Sequence, residues 1–234
     1  MPLDPNEVER WLREDIDEKS GTLLGRGYQA TVHRYDAPFG KIVVKRPHAG
    51  LLGCFARRAI RHEHQIYERL RGVPGVPKVY ALTDNTELVL ESVEGPSYRA
   101  QQTRLEDREA FFAALLETLD AMHAAGVAHG DLKRKDNLLV GADGQPYLID
   151  FGVGCLVDTT TRGWRRWRFE SLQQLDYNAW VKLKYGRGAP GISAADASRY
   201  RPLLLEHLAR WIRIPWQKIT LRRPRQRLRR WLNR

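Results

Sequence analysis

The chain has 234 residues, 42% of them hydrophobic, and it includes seven Trp. This length and composition fit one large domain or two small lobes with a sizeable core, and they exclude wholesale disorder. No apolar run approaches the roughly 20 residues that a bilayer-spanning helix needs. The formal net charge is +11 and the pI is near 9.9, which predicts an anionic partner or surface.

The two cysteines, Cys54 and Cys155, lack metal-ligand spacing. We therefore expect a reducing, cytoplasmic setting. The early acids Asp4, Glu7 and Glu9 do not fit the basic-then-apolar pattern of a signal peptide. A cytoplasmic location is the expectation from both observations.

Residues 1–20 are predicted to form an N-terminal helical extension. Val8, Leu12 and Ile16 share one side of a helix over residues 5–18. A helix of this kind is expected to cap the domain that follows it.

Two glycines, Gly25 and Gly27, lie between apolar residues in the stretch 23–32. Glycines allow a tight turn whose backbone amides approach phosphate oxygens closely. A β-rich run over 41–45 follows and ends in Lys45. A lysine at a strand end is usually solvated, and only its distance from the glycine turn distinguishes this one.

Helical periodicity predicts a helix over residues 55–70 that carries two acids, Glu63 and Glu68. Glu63 lies 18 residues beyond Lys45 and one turn before Tyr67 on the same face. We expect Glu63 to pair with Lys45, with Glu68 as a solvated alternative.

Two prolines and two glycines exclude a helix over residues 72–77. Short strands are predicted on either side of residues 83–86, and a lobe boundary is expected near Gly95. The clearest helix spans residues 108–125, where apolar residues recur at helical spacing and Gly126 provides a stop.

Three polar residues, Asp131, Asn137 and Asp150, flank two short apolar runs at 138–140 and 147–149. An Asp-Gly pair between the runs is a hairpin-turn signal. Such a hairpin gathers an amide and two carboxylates at one end. Hard oxygen ligands of this kind suit Mg²⁺ that arrives on a nucleotide phosphate.

The sequences HGDLKRKDNLLV at 129–140 and LIDFG at 148–152 resemble the catalytic loop and the DFG motif of protein kinases. The upstream glycine turn and Lys45 resemble the glycine loop and the third-strand lysine of that family. The resemblance covers roughly residues 23–185. It implies an α+β, two-lobed fold with a small β-rich N-lobe and a reduced helical C-lobe, and it implies ATP and Mg²⁺ as cofactors.

The resemblance also implies roles for the catalytic-loop residues. Asp131 would be the base or orienting group for the acceptor hydroxyl, and Lys133 would lie near the transferred phosphoryl group. Asn137 and Asp150 would hold Mg²⁺. His129 would be a buried residue that braces the loop rather than a proton carrier.

The nucleotide site implied by the resemblance is built around Lys45 on the α- and β-phosphates, held by Glu63. Backbone groups near the lobe boundary would meet the adenine edge. The cofactor-binding residues are then Gly25, Gly27, Val32, Val43, Lys45, Leu90, Glu91, Val93 and Leu139.

Two departures from the family pattern affect these expectations. Gly130 stands where many protein kinases have arginine, so we expect no switch by phosphorylation of the following segment. Asn137 follows Asp131 by six positions, where five are usual. Either the loop carries one extra residue, or Asp136 takes the metal; Asn137 is favoured because the following strand fixes its register.

The pattern changes after Gly152, because no Ala-Pro-Glu triplet appears and the next helix is predicted within some twenty residues, at about 170–185. The segment 162–168 interleaves arginines with Trp. It is either a solvated face or an interface where indoles lie among lipid headgroups and arginines meet phosphates.

Residues 210–234 contain ten Lys or Arg and no Asp or Glu. Trp211, Trp216 and Trp231 lie among these cations, and an apolar stripe on a basic helix is predicted. Such a helix would lie on an anionic membrane or, less in keeping with the stripe, bind RNA.

Four parts are therefore predicted: an extension at 1–20, an N-lobe at 21–94, a C-lobe at 95–209 and a basic tail at 210–234. The small C-lobe resembles bacterial lipopolysaccharide core sugar (Kdo or heptose) kinases and RIO-type small kinases. That resemblance implies a phosphotransferase acting on a core sugar, at the inner face of the inner membrane. The alternative is a Ser/Thr protein kinase, which Lys133 favours; a non-catalytic nucleotide- or RNA-binding module is a third reading, favoured only by charge.

Overall fold

A computed structural model describes residues 5–14, 21–26, 30–48, 53–83, 86–186 and 191–201 of the chain. Gly27 of the glycine turn and the whole basic tail at 210–234 lie outside the described residues, so the expectations for them stay predictions. Among the described residues, no helix combines the length and the apolar character that crossing a bilayer demands.

The first half of the chain is rich in strands, and the second half contains the longest helices. The helices are α1 (Pro5–Glu14), α2 (Gly53–Arg69), α3 (Tyr98–Gln101), α4 (Arg108–Ala124), α5 (Gly163–Tyr185) and α6 (Ala194–Arg199). The strands are β1 (Thr22–Arg26), β2 (Ala30–Ala37), β3 (Gly40–Pro47), β4 (Val79–Leu82), β5 (Leu88–Glu91), β6 (Val127–Ala128), β7 (Leu138–Val140), β8 (Pro146–Leu148) and β9 (Cys155–Leu156).

The N-lobe sheet has five antiparallel strands in the order β1-β2-β3-β5-β4. Alternation along the central strand β3 separates two faces. Ile42 and Val44 are buried in a cluster with residues of α1, whereas Val43 packs against the main core. Lys45 shares the face of Val43, so the strand directs its amine away from α1.

Helix α1 covers the outer face of this sheet. Its Val8 and Leu12 are buried in one cluster with Tyr35 and Ile42. Burial of two such aliphatic side chains stabilises the lobe by about 3–6 kcal/mol. The sheet is thereby left with one covered face and one face toward the second half of the chain.

The C-lobe is organised around α4 and α5. Asp107 caps α4 by accepting a hydrogen bond from the Ala110 amide at 2.8 Å. Phe112 of α4 packs edge-to-face on Trp180 of α5, and its carbonyl accepts the Trp180 indole hydrogen at 2.9 Å. Two small sheets, β6 with β9 and β7 with β8, lie against these helices.

Helix α5 differs from the expectation of a helix at about 170–185, because it begins at Gly163 and runs for 23 residues. The reason is local: the stretch after Gly163 contains no proline and only one β-branched residue, Val181, so nothing stops the helix from extending toward the N-terminus. The Arg- and Trp-rich segment therefore forms the first turns of a helix.

The lobe boundary is a tight contact that only glycine fits. Gly95 has φ +146°, and a β-carbon there would overlap the carbonyl oxygen of Val140. The neighbouring backbone is tied to the C-lobe, because the Val140 amide donates to Pro96 O at 2.9 Å and the Ala142 amide donates to Glu94 O at 2.9 Å.

We predict that Gly95→Ala destabilises the protein by at least about 3 kcal/mol, since it adds a steric overlap to backbone strain. Gly144→Ala is the matched control, because Gly144 also has a positive φ, +75°, but has open space around its β position. It should cost only about 1 kcal/mol. Urea unfolding of both variants measures the difference, and equal losses would contradict the tight contact.

Candidate active site

The first functional feature is a lysine held between two acids from different parts of the fold. Lys45 Nζ of β3 lies 2.7 Å from Glu63 Oε2 of α2 and 2.9 Å from Asp150 Oδ1, just after β8. The three positions are far apart in the sequence, and the fold brings them into direct contact. Glu68, the solvated alternative, instead bonds Arg71 on the surface at 2.7 Å.

Burial opposes the charges of this cluster and changes the pKa values of its members. Only 2% of the Glu63 side chain is exposed, and burial raises the pKa of its carboxyl above the usual value even beside Lys45. Burial opposes the charge of Lys45, but Glu63 and Asp150 together raise its pKa. Removing one partner would leave an uncompensated buried charge, a loss of several kcal/mol in general.

Asp150 adopts a strained backbone conformation. Its φ of +67° lies in the left-handed region, which non-glycine residues rarely occupy. The next residue, Phe151, is fully buried and packs against the rings of Tyr67 at 5.1 Å and His129 at 4.8 Å. This packing holds the strained residue in place and aims its carboxylate at Lys45.

Burial also opposes the charge of Asp150, but nearby cations, chiefly Lys45 and to a smaller extent Arg134, hold the pKa of its carboxyl below the usual value. The group is therefore ionised at neutral pH. An ionised carboxylate in a half-buried position is a suitable ligand for a phosphate-bound divalent cation.

The catalytic loop is anchored by Asp176 of α5, a residue that the sequence reasoning did not identify. Its Oδ2 accepts hydrogen bonds from the His129 amide at 2.8 Å and from the His123 ring at 3.2 Å. Its Oδ1 accepts the Gly130 amide at 2.8 Å. A buried acid in the middle of a helix was a signal, but nothing in the sequence indicated which backbone it would reach.

His129 joins the catalytic loop to the strand that precedes Asp150. The side chain is fully buried, and its Nε2 lies 3.1 Å from the carbonyl oxygen of Ile149. The Asp131 amide in turn donates to His129 Nδ1 at 3.2 Å. The geometry suits a bracing role for this histidine, since both ring nitrogens are committed to backbone groups.

The two alternatives for the second metal ligand, Asn137 and Asp136, differ in burial and in their hydrogen-bond partners. Asn137 is buried, and its Nδ2 donates to the Asp131 carbonyl at 3.2 Å, which leaves Oδ1 as the group able to bind a cation. Asp136 is half exposed and makes two bonds with Arg99, at 2.7 and 2.9 Å. The hydrogen bond from Arg99 lowers the pKa of Asp136 and directs its carboxylate away from the loop.

Metal ligation by Asn137 and Asp150 thus fits the residues present. An amide oxygen and a carboxylate are hard donors, and a magnesium site on a nucleotide needs only one or two protein ligands besides phosphate oxygens. No cluster of three or more His, Cys, Asp or Glu with metal-binding geometry occurs in the described ranges.

The structure does not bring Lys133 to Asp131. Lys133 is exposed, whereas Arg134 Nη1 of the next residue lies 3.6 Å from Asp131 Oδ2. Arg134 is thus the cation beside the acceptor carboxylate in this conformation, and the role assigned to Lys133 stays a prediction.

The described residues expected around the nucleotide lie on the N-lobe sheet and at the hinge, except Leu139, which lies in β7. Leu90 is buried, Val43 pairs with it across β3 and β5, and the Glu91 amide is already used by Lys78 O at 2.8 Å. Of the backbone groups of Glu91, only the carbonyl oxygen is therefore left for the hydrogen bond expected with adenine. The remaining described members, Gly25, Val32, Val93 and Leu139, are half buried.

Fold and site together have the arrangement of the two-lobed kinase class, in which a lysine on the sheet is held by a helix glutamate and faces the catalytic loop and the acid after β8. Comparison with known families agrees, since residues 19–176 match the model described as "Protein kinase domain". The match covers two thirds of the chain. The chain therefore belongs to the protein kinase domain family, and the expected α+β two-lobed fold is confirmed.

Curated relatives include CBL-interacting protein kinase 25 of Oryza sativa subsp. japonica, 30% identical over 61% of this chain and 30% of its own length. Mitogen-activated protein kinase spk1 of Schizosaccharomyces pombe is 31% identical over 60% of this chain and 40% of its own. Serine/threonine-protein kinase UCN of Arabidopsis thaliana is 29% identical over 60% of this chain and 39% of its own length. The chain thus spans less than half the length of these relatives.

We predict that Asp176→Asn destabilises the protein by about 2–3 kcal/mol and lowers kcat, because it replaces a charged acceptor of two loop amides. Asp143→Asn is the control, since Asp143 also accepts two hydrogen bonds but lies exposed in the β7–β8 turn. For this control, the free energy of unfolding measured in urea and kcat should both change little. A kcat for Asp176→Asn equal to that of the control would contradict the anchoring role.

Arg134→Gln should lower kcat about 10- to 100-fold, as expected for loss of a cation at a transferred phosphoryl group. The affinity for ATP, measured by titration calorimetry, should change less than about threefold, since the residue lies on the acceptor side. Lys133→Gln is the matched control and should have the smaller effect on kcat. A larger loss of kcat in Lys133→Gln than in Arg134→Gln would instead assign the cation at the phosphoryl group to Lys133.

Proposed function

We propose that this protein is a Mg²⁺-dependent Ser/Thr protein kinase. The observation that carries the proposal is the contact of Lys45 with both Glu63 and Asp150 beside a catalytic loop built for phosphoryl transfer. The named activities of the relatives support a protein hydroxyl as acceptor. Lys133, which is typical of the catalytic loop in protein kinases that act on Ser and Thr, points in the same direction.

The side chains divide the work by position. Lys45, kept in place by Glu63, binds the nucleotide phosphates, and Asn137 with Asp150 would hold Mg²⁺. The bound metal supplies charge neutralisation on the transferred phosphoryl group. Asp131 orients the acceptor hydroxyl and receives its proton, with Arg134 beside it. Asp176 and His129 keep the loop in register, so that positioning accounts for much of the rate.

A second candidate acceptor is a lipopolysaccharide core sugar, and a specific observation favours it. Helix α5 begins at Gly163, so only the short stretch 151–162 separates the metal-binding acid from the next helix, and an Ala-Pro-Glu triplet is absent from the sequence. A short segment offers little platform for an extended peptide. We rank this acceptor second because the relatives are named as protein kinases.

Labelled ATP offered with purified protein and either generic protein substrates or lipopolysaccharide core distinguishes the two acceptors. We expect label on Ser or Thr of protein; label on core sugar alone would move the second candidate to first place. Chelation of Mg²⁺ should abolish transfer, because the cation balances the negative charge of the phosphates beside the Asp150 carboxylate.

Asp131→Ala provides the mechanistic control in the same assay. Transfer should fall by about 10²- to 10⁴-fold, the range for loss of a positioned acid–base group, while ATP binding persists because Asp131 is on the acceptor side. Abolished nucleotide binding, rather than abolished transfer, would show that the role is misassigned.

A further inference from the structure

Apolar side chains are exposed on three elements around the segment that follows Asp150. Among the described residues, six large hydrophobic side chains are exposed, and four of them lie here. They are Phe55 of α2 at 65%, Val153 at 55%, and Trp164 and Trp167 of α5 at 70% and 57%. Exposed apolar patches rimmed by polar residues mark interaction surfaces.

Two hydrogen bonds tie these elements together. His62 Nε2 of α2 lies 3.1 Å from the Gly154 carbonyl oxygen, and Arg168 Nη2 of α5 donates to the Val153 carbonyl at 3.5 Å. Phe55 precedes His62 by seven residues, which places both on one stripe of α2. Trp164 and Trp167 are three apart and so share a face of α5. Val153 lies in this short segment, Trp164 and Trp167 lie beside Arg168, and Phe55 lies two turns from His62 on the same stripe of α2.

Cations surround these apolar groups, and acids are absent from both helix starts. Residues 53–62 carry Arg57, Arg58 and Arg61, and residues 159–169 carry Arg162, Arg165, Arg166 and Arg168, with no Asp or Glu in either range. All but one of these arginines lack an acidic partner among the described residues; Arg166 bonds Glu170 at 2.8 Å. The surface is therefore both apolar and strongly positive.

We propose that this surface, defined by Phe55, Arg58, Val153, Trp164, Arg165 and Trp167, docks on an anionic phospholipid membrane. Indoles favour the headgroup level of a bilayer, and arginines there meet lipid phosphates. An acidic peptide would satisfy the arginines but not four exposed apolar side chains. The basic tail at 210–234 is a poor cover for the surface, because ten cations and no acid would repel it.

The proposed docking surface has a consequence for the reaction. It adjoins the segment directly after the metal-binding acid, so docking would hold the acceptor side of the cleft toward the bilayer. A single surface of this size gives weak attachment, and a cationic tail that lies on the same membrane would supply a second signal. Docking of this surface on a membrane is compatible with either candidate acceptor hydroxyl.

The test is co-sedimentation of the full chain with phosphatidylcholine vesicles, with and without phosphatidylglycerol. Binding should require phosphatidylglycerol and weaken with salt. The double variant Trp164→Ser with Trp167→Ser should lower the partition coefficient at least about tenfold, because it removes apolar groups and leaves all charges. ATP affinity should stay within about twofold, which shows that the variant is folded.

A charge-matched pair checks the location. Arg58→Gln with Arg165→Gln should weaken binding about fivefold per arginine. Arg34→Gln with Arg104→Gln removes two exposed arginines outside the surface and should have a much smaller effect. Equal losses in both pairs, or full binding by the Trp variant, would mean that the tail binds by charge alone and would overturn the proposal. Binding to an acidic peptide or RNA in place of vesicles would overturn it too.

Discussion

The contact of one amine with two carboxylates governs the whole site. Lys45, Glu63 and Asp150 come from the sheet, from α2 and from the end of β8. Burying three charges is costly, and the cost is recovered only when all three are present and correctly oriented. The cluster therefore couples the placement of a helix and of a strained backbone turn to the position of Lys45, the residue proposed to bind the nucleotide phosphates.

The catalytic loop obeys a similar constraint from the opposite side. Its amides are held by one buried acid of α5, Asp176, and its histidine bonds the strand that leads into Asp150. Buried backbone donors need such partners, since an unsatisfied amide costs about 1–3 kcal/mol. The same helix that anchors the loop also begins early enough to carry exposed Trp beside the site, so catalytic geometry and surface character share one element.

The early start of α5 gives the C-lobe its particular form. A short connection replaces a longer platform after Gly152, and the first turns of α5 become solvent-exposed and cationic. This arrangement leaves a shorter segment after Gly152 and adds a surface suited to phosphates. The second candidate acceptor and the membrane proposal both depend on this feature of the helix.

The sequence by itself determined the elements and the type of chemistry. Local periodicity predicted α2 and α4, and the pairs of polar residues beside apolar runs indicated a phosphate-and-metal site, because spacing along a chain reports helices, strands and turns directly. Only the tertiary structure showed that Asp136 pairs with Arg99, which lies 37 residues away, whereas Asn137 is buried. It likewise placed Arg134 rather than Lys133 on Asp131, and it revealed Asp176, because contacts between distant segments depend on packing that no local pattern encodes.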